Sequence, residues 1–368
     1  MHNGRFMTIL SRYIFSEFMK SFFTALSGIL IVYSCIQFLW KADWLIENKA
    51  TFFQVTAFYL YTLPSMITEA LPIASLIAAL VSVSNLSRNN EIIAMRAGGV
   101  SLISIISPVL AGGLLISAFG FVNNEFIMPV YTARANYIKN VEIEKKKQRV
   151  VFQHSKLWLR GPENSIANIE LIAPDRHDTM LGVNIYKLNP DYSVRERIKA
   201  ESLLWENGAW RFQNSRKFTV VGDRVISDTA DGEAFNIVES PEDLGAIVKS
   251  SAEMNFTELW DYVKRLKNSG YQAIRYEVDL QGKLAFPLSS LLMVMIAAPL
   301  SIHRVRSGGT AKSFAIAILI AFFYWTLMSA GTALGRSGAI PPVQAAWFAN
   351  FSFASLSLIA IYRMQRTS

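Results

Sequence analysis

Four histidines, His2, His154, His177 and His303, are spread along the 368-residue chain, and the single cysteine is Cys35. Their spacing offers no cluster of metal ligands. No His-Glu-x-x-His, Gly-x-Ser-x-Gly or pair of aspartates within an apolar stretch is present, which argues against a protease or hydrolase. Glu69 lies inside an apolar stretch and Glu125 at the end of another. Without a nucleophile or metal ligand beside them, these two carboxylates make a poor case for an intramembrane enzyme. Gly308-Gly309-Thr310-Ala311-Lys312-Ser313 approaches a phosphate loop, but Ala311 stands where glycine must precede the lysine, and no buried strand leads into it. It reads as a basic turn. Any work on ATP and Mg²⁺ therefore falls to another subunit, and no cofactor is assigned to this chain.

A different kind of chemistry is offered by Ser84–Gly99, a short amphipathic helix between two apolar spans, stopped by glycines. Glu91 stands there with Arg88 and Arg96, while Ile92, Ile93 and Met95 supply an apolar side. Such a helix suits a groove on a partner that moves it. A solvated interfacial turn is the competing reading.

The elements that hold these residues follow from hydropathy. Apolar residues make up 52% of the chain and charged ones 17%, below the ~25% usual in soluble domains. Phe22–Trp40, Val100–Val122, Leu284–Ile302, Phe314–Leu334 and Val343–Tyr362 carry no charge, and Phe52–Leu86 carries only Glu69. Each is close to the ~20 residues that cross a bilayer. Six membrane spans, three before and three after a polar block, are expected. The first is too long for a signal peptide and ends in Phe38-Leu39-Trp40-Lys41 without a small-residue cleavage site. Ahead of it, Phe6, Ile9, Leu10, Tyr13, Ile14 and Phe18 predict an interfacial amphipathic helix over residues 1–20. Pro64 and Pro72 should kink span two, with Glu69 between them. That carboxylate is either functional or bonded to a nearby Ser or backbone group.

Orientation follows from the basic residues of the short segments. Arg5, Arg12, Lys20, Arg88, Arg96, Arg304, Arg306, Lys312, Arg363 and Arg366 lie on the side of the termini, against Lys41, Lys49 and Arg336 opposite. Both termini are therefore expected in the cytoplasm and the polar block outside. The net charge of +8 belongs mostly to this bias: residues 131–283 hold 23 basic and 22 acidic side chains, or +1. It does not indicate nucleic-acid binding.

From Val150 to about Glu239 the period is two. Leu157, Leu159, Ile166, Ile169, Leu171, Val183, Ile185, Tyr186 and Leu188 mark strands, and Leu203–Phe212 reads as a hairpin around Asn207-Gly208. An antiparallel sandwich or jelly roll is expected, without a disulfide, since Cys35 lies in the first span. After Pro241 a helix capped at Asn255 or Thr257 should carry Leu259, Trp260, Val263 and Leu266 and end near Gly270. The predicted layout is an interfacial helix over 1–20, spans over 21–130 with the short helix at 85–98, the β domain over 131–250, a helix and return segment over 251–282, and spans over 283–363.

Ser87-Arg88-Asn89-Asn90-Glu91-Ile92-Ile93-Ala94-Met95-Arg96-Ala97-Gly98-Gly99 resembles the signature of the LptF/LptG permease family, formerly YjgP/YjgQ. So do Phe121-Val122-Asn123-Asn124-Glu125-Phe126-Ile127-Met128-Pro129, the pair Pro64 and Pro72, Phe286-Pro287-Leu288 and Ala298-Pro299-Leu300-Ser301. The resemblance covers the whole chain. Asn268-Ser269-Gly270-Tyr271-Gln272 and Gly338-Ala339-Ile340-Pro341-Pro342 are more similar to its LptG branch. It implies a heterodimer with an LptF paralogue in the bacterial inner membrane, driven by two copies of the ATPase LptB. The complex would extract lipopolysaccharide and pass it to a periplasmic bridge of jelly rolls that begins with LptC. The Glu91 helix becomes the coupling helix, with Arg88, Ile92, Met95 and Arg96 as contact candidates. A lipid with several acyl chains and two phosphates needs an apolar cavity with cations at its outer rim. The candidates there are Tyr33, Gln37, Trp40, Lys41, Lys49, Arg134 and Arg336. Where LptG-type relatives carry several lysines near the end of span one, this chain has Lys41 alone, flanked by Gln37 and Trp40. An alternative of another class is a mechanotransmission or lipoprotein-release subunit of the FtsX or MacB sort. Those place their external domain after the first of four spans.

Overall fold

The computed structural model describes residues 2–145, 150–153, 156–161, 164–172, 178–221, 224–235, 250–268, 272–304 and 309–366. His154, His177, Ser269-Gly270-Tyr271, Arg306 and Gly308 lie outside the described residues. The chain divides into a helical unit (Met1–Glu144, Ser251–Phe256 and Ile274–Ser368) and a β unit (Lys145–Ser250 and Thr257–Ala273).

The helical unit opens with α1 (His2–Glu47) and α2 (Phe52–Arg88), followed by the short α3 (Glu91–Ala97) and by α4 (Leu102–Val122). Two π-helical turns, Asn123–Ile127 and Ile138–Ile143, bracket α5 (Met128–Tyr137). After the β unit come α7 (Ile274–Arg304), α8 (Gly309–Arg336) and α9 (Pro342–Arg366). Six helical runs are long and apolar enough to cross a membrane: Ile9–Glu47, Phe52–Arg88, Leu102–Ile143, Ile274–Ser301, Phe314–Arg336 and Pro342–Met364. These match the six expected spans. The third run continues to Ile143 instead of stopping near 130, so the helical unit reaches Glu144. The π turns let the chain run on without a break by carrying one extra residue per turn.

Part of the stripe at the start of α1 packs inside the helical unit, while Ile9 and Tyr13 of the same stripe stay exposed. Ile14, Phe18 and Phe22 are buried in the main helical core with Leu71, Ile105, Val109 and Val294. They face α4, where a Cβ at Gly112 would sit 2.5 Å from the Phe18 ring. An amphipathic helix can satisfy its apolar face on a membrane surface or on a neighbouring helix, and here the bare Gly112 provides the neighbour. At the other end of the chain, Gly331 and Gly335 bring α8 against Ala345 of α9 by the small-residue spacing that lets membrane helices approach.

In the β unit, β1 (Val150–Gln153), β2 (Lys156–Gly161), β3 (Ser165–Ile172), β4 (Thr179–Leu188), β5 (Val194–Glu206), β6 (Ala209–Val221) and β7 (Arg224–Asp228) form one antiparallel sheet in sequential order. The all-β insert is as expected. Its connectivity is a meander, because each strand pairs with the one that follows it in sequence. The Asn207-Gly208 hairpin sets Trp205 opposite Trp210. The unit buries Leu159, Ile169, Met180, Ile185, Ile198, Leu203, Trp210 and Phe212 in one core. Asp231 accepts hydrogen bonds from the N–H and Oγ of Ser215, both at 2.6 Å. These bonds hold its carboxyl below the usual aspartate range. The helix α6 (Phe256–Asn268) buries Leu259, Val263 and Leu266 as expected, while Trp260 points outward.

Candidate functional site

The Asn123-Asn124-Glu125 sequence at the end of α4 is a knot of backbone contacts. A proline inside a helix frees the carbonyl four residues earlier, and in a membrane some other donor must satisfy it. Pro287 frees the Lys283 carbonyl, which accepts from Asn124 Nδ2 at 3.1 Å. Pro108 frees that of Ser104, which accepts from Ser107 Oγ at 3.2 Å. On α2, Asn123 Nδ2 donates to the Pro64 carbonyl at 2.8 Å and to Thr68 Oγ1 at 2.6 Å. Ser117 Oγ donates to the Pro287 carbonyl at 2.9 Å. Glu125 accepts from the backbone N–H of Phe256 at 2.8 Å. Asn123, Asn124 and Glu125 are thus joinery between α2, α4, α7 and the segment before α6. That leaves Glu125 without a free role in chemistry.

Glu69 is placed differently. Tyr33 Oη of α1 donates to Glu69 Oε2 at 2.5 Å, and Gln37 Nε2 donates to Tyr33 Oη at 3.2 Å. Two residues expected at the substrate site are thereby joined to the carboxylate of span two. Their spacing, one helical turn on α1, is legible in sequence, but the pairing with α2 is not.

At the far end of α1 the chain is built around aromatic rings. Lys41 Nζ lies 4.7 Å from the centre of the Phe58 ring. Leu45, Phe58, Ala135, Ile138 and Ile143 form a second buried cluster that joins α1, α2, α5 and the π turn after it. Lys139 Nζ, absent from the expected set, stands 5.9 Å from the Trp44 ring. Arg134 pairs with Glu142 at 3.5 Å and stacks on Tyr137. Trp40 is 83% exposed. Lys49 sits in the turn before α2 with a left-handed φ of 51°. Arg336 binds Asp279 Oδ1 through Nε at 3.2 Å and Nη2 at 2.7 Å, so its charge is already met by a carboxylate. Ser251 Oγ donates to the other oxygen of Asp279. Lys41, Arg134 of α5 and Lys139 of the π turn after it therefore belong to one welded end of the unit. Arg336 belongs to a separate ion pair.

The short helix α3 is held by its ends. Asn90 precedes it with a φ of 58°, a conformation asparagine tolerates. At its far end Gly99 N–H donates to the Arg96 carbonyl at 2.9 Å and Val100 N–H to that of Met95 at 3.1 Å. Together with the φ of +82° at Gly99, this is a Schellman stop. Ile92 is buried in the main core and Met95 packs against it. Arg88, Ile93 and Arg96 are exposed on the opposite side, and Glu91 is half-buried and interacts with the Tyr13 hydroxyl of α1. The outward residue that sequence reasoning left out of the contact set is Ile93. Alternation of buried and exposed positions cannot be assigned within so short a helix without its neighbours.

Six spans with an antiparallel insert after the third, an α3 helix between spans two and three, and the proline-and-asparagine knot define a class of polytopic membrane permease. The sequence profile of the family Lipopolysaccharide export system permease LptF/LptG matches residues 12–363, and the chain belongs to that family. It is 23% identical over 315 residues to the lipopolysaccharide export system permease protein LptG of Escherichia coli K12, covering 83% of this chain and 84% of that protein. Its identity to LptG of Haemophilus influenzae is 20% over 326 residues, covering 86% and 88%. The family is one of transport permeases rather than enzymes, and the chain is a multi-pass membrane protein.

Proposed function

We propose that this chain is the LptG-type half of an ATP-driven exporter that lifts lipopolysaccharide out of the bacterial inner membrane. It pairs with an LptF paralogue, two copies of the ATPase LptB supply the nucleotide chemistry, and the lipid passes to LptC and the periplasmic bridge. The termini and α3 lie in the cytoplasm and the β unit in the periplasm, in keeping with the excess of basic residues on the side of the termini. The observation that carries this reading is a family match over nearly the full chain to a protein whose α3 offers one buried and one outward side. Ile92 and Met95 anchor the helix inward, while the exposed Arg88, Ile93 and Arg96 and the half-buried Glu91 meet the ATPase groove. At the outer end of α1, Lys41 with Lys139 and Arg134 supplies cations for the lipid phosphates, and Tyr33, Gln37 and Trp40 line the way for acyl chains.

Two measurements test it. Purified protein should co-isolate with an ATPase, and Glu91→Lys should abolish lipopolysaccharide export while leaving membrane insertion intact. Normal export by the Glu91→Lys strain would remove the coupling role from α3. Photocrosslinkers placed at Lys41 should yield lipopolysaccharide adducts.

A further inference from the structure

From Tyr61 to Ser84, α2 is enclosed by its neighbours at every position except one, and that position is Glu69. The helices α1 and α8 both pack on α2. The exposed carboxylate is part of a directed chain. Gln37 donates to Tyr33, Tyr33 donates to Oε2, and Oε1 accepts from no donor among the described residues. An acceptor that faces hydrocarbon without a donor is costly, and such groups in membrane spans mark binding or transport paths. Something carrying a donor belongs at Oε1.

The depth of the site selects that donor. Tyr33 is eight residues from Lys41 along α1, about 12 Å at the helical rise. On the reading of Lys41 as a phosphate contact, Glu69 lies below the head group by about the length of a sugar ring and the first few carbons of an acyl chain. An ammonium on the head group would stay above it. The donors that acyl chains carry at that level are hydroxyls close to their linkage. We propose that Glu69, aimed by Tyr33 and Gln37, is a subsite that accepts a hydrogen bond from the hydroxyl of a 3-hydroxyacyl chain on a phosphorylated sugar lipid. The inference rests on the permease reading and adds a chemical preference to it. Tyr33 and Gln37 are positioning residues; Glu69 makes the contact.

The test uses the full-length chain in its membrane complex, embedded in nanodiscs. It is titrated with two synthetic bisphosphorylated diglucosamine lipids that differ only in the presence of the 3-hydroxyl on their acyl chains. The natural protein should bind the hydroxylated lipid about tenfold more tightly, the scale of one hydrogen bond to a charged acceptor. Glu69→Leu should bind both lipids equally, at the weaker level. Glu69→Gln, matched in shape and keeping one acceptor oxygen, should show an intermediate preference and guards against a fold defect in the leucine variant. Equal binding of the two lipids by the natural protein, or a preference that survives Glu69→Leu, overturns the subsite. Failure of the permease reading would look different. Neither lipid would bind and crosslinkers at Lys41 would capture none, which overturns both.

Discussion

The helices α1 and α2 are neighbours of similar apolarity, yet they end up in opposite situations. Most of α2 is enclosed, and the polar atoms beside Pro64 are paired: Thr68 Oγ1 donates to the Pro64 carbonyl at 3.0 Å and accepts from Asn123, as that same carbonyl does. From Phe23 to Trp40, α1 is open, with Ile31, Val32, Leu39 and Trp40 exposed and, among the described residues, only Tyr33, Ser34 and Gln37 of that stretch making polar contacts to side chains. Apolar content alone does not separate them. What does is the set of prolines and donors: a helix that carries Pro64 and Pro72 has backbone groups that need partners, so it sits in the middle. An unbroken helix has every backbone group satisfied internally and is free to present its side chains to lipid, substrate or a second subunit.

Three substitutions sharpen that contrast. Asn123→Leu should be the most damaging, because it removes both donors to α2 and leaves a buried carbonyl and hydroxyl short of partners. About 3 kcal/mol of stability should be lost, read as a lower thermal midpoint for the detergent-solubilised protein. Gly112→Leu attacks the enclosed start of α1, by driving a side chain into the Phe18 ring. Overpacking there should cost about 2 kcal/mol and loosen α1 from α4, visible as faster proteolysis of the N-terminal segment. Trp40→Ala, on the open part of α1, should change the thermal midpoint by the equivalent of no more than about 0.5 kcal/mol. It should nonetheless reduce lipid crosslinking from Lys41. A large loss of stability from Trp40→Ala would mean that the open part of α1 is structural after all.

The spans, their number and the position of the insert were legible because hydropathy and charge report directly on the bilayer. The Asn207-Gly208 hairpin was legible because its turn chemistry is local. The enclosed start of α1 was not, since Leu10, Ile14 and Phe18 form the same stripe whether they meet a membrane surface or a glycine-lined helix. Arg336 reads as a free rim cation until Asp279, 57 residues earlier in the chain, is found beside it. The Tyr33–Glu69 bond is hidden for the same reason. Each residue looks unremarkable within its own helix, and the meaning arises from which two helices lie side by side.

The stop at Gly98-Gly99 and the inward anchors of α3 have a mechanical consequence. A slack loop between two crossings would absorb a push from below as local bending. Here Ile92 shares its burial with Val83 and Leu86 on one flank and Leu102 and Ile105 on the other, so a load applied to the outward side meets both crossings at once. The turn behaves as a bracket bolted to two posts, and displacing it tilts the pair together.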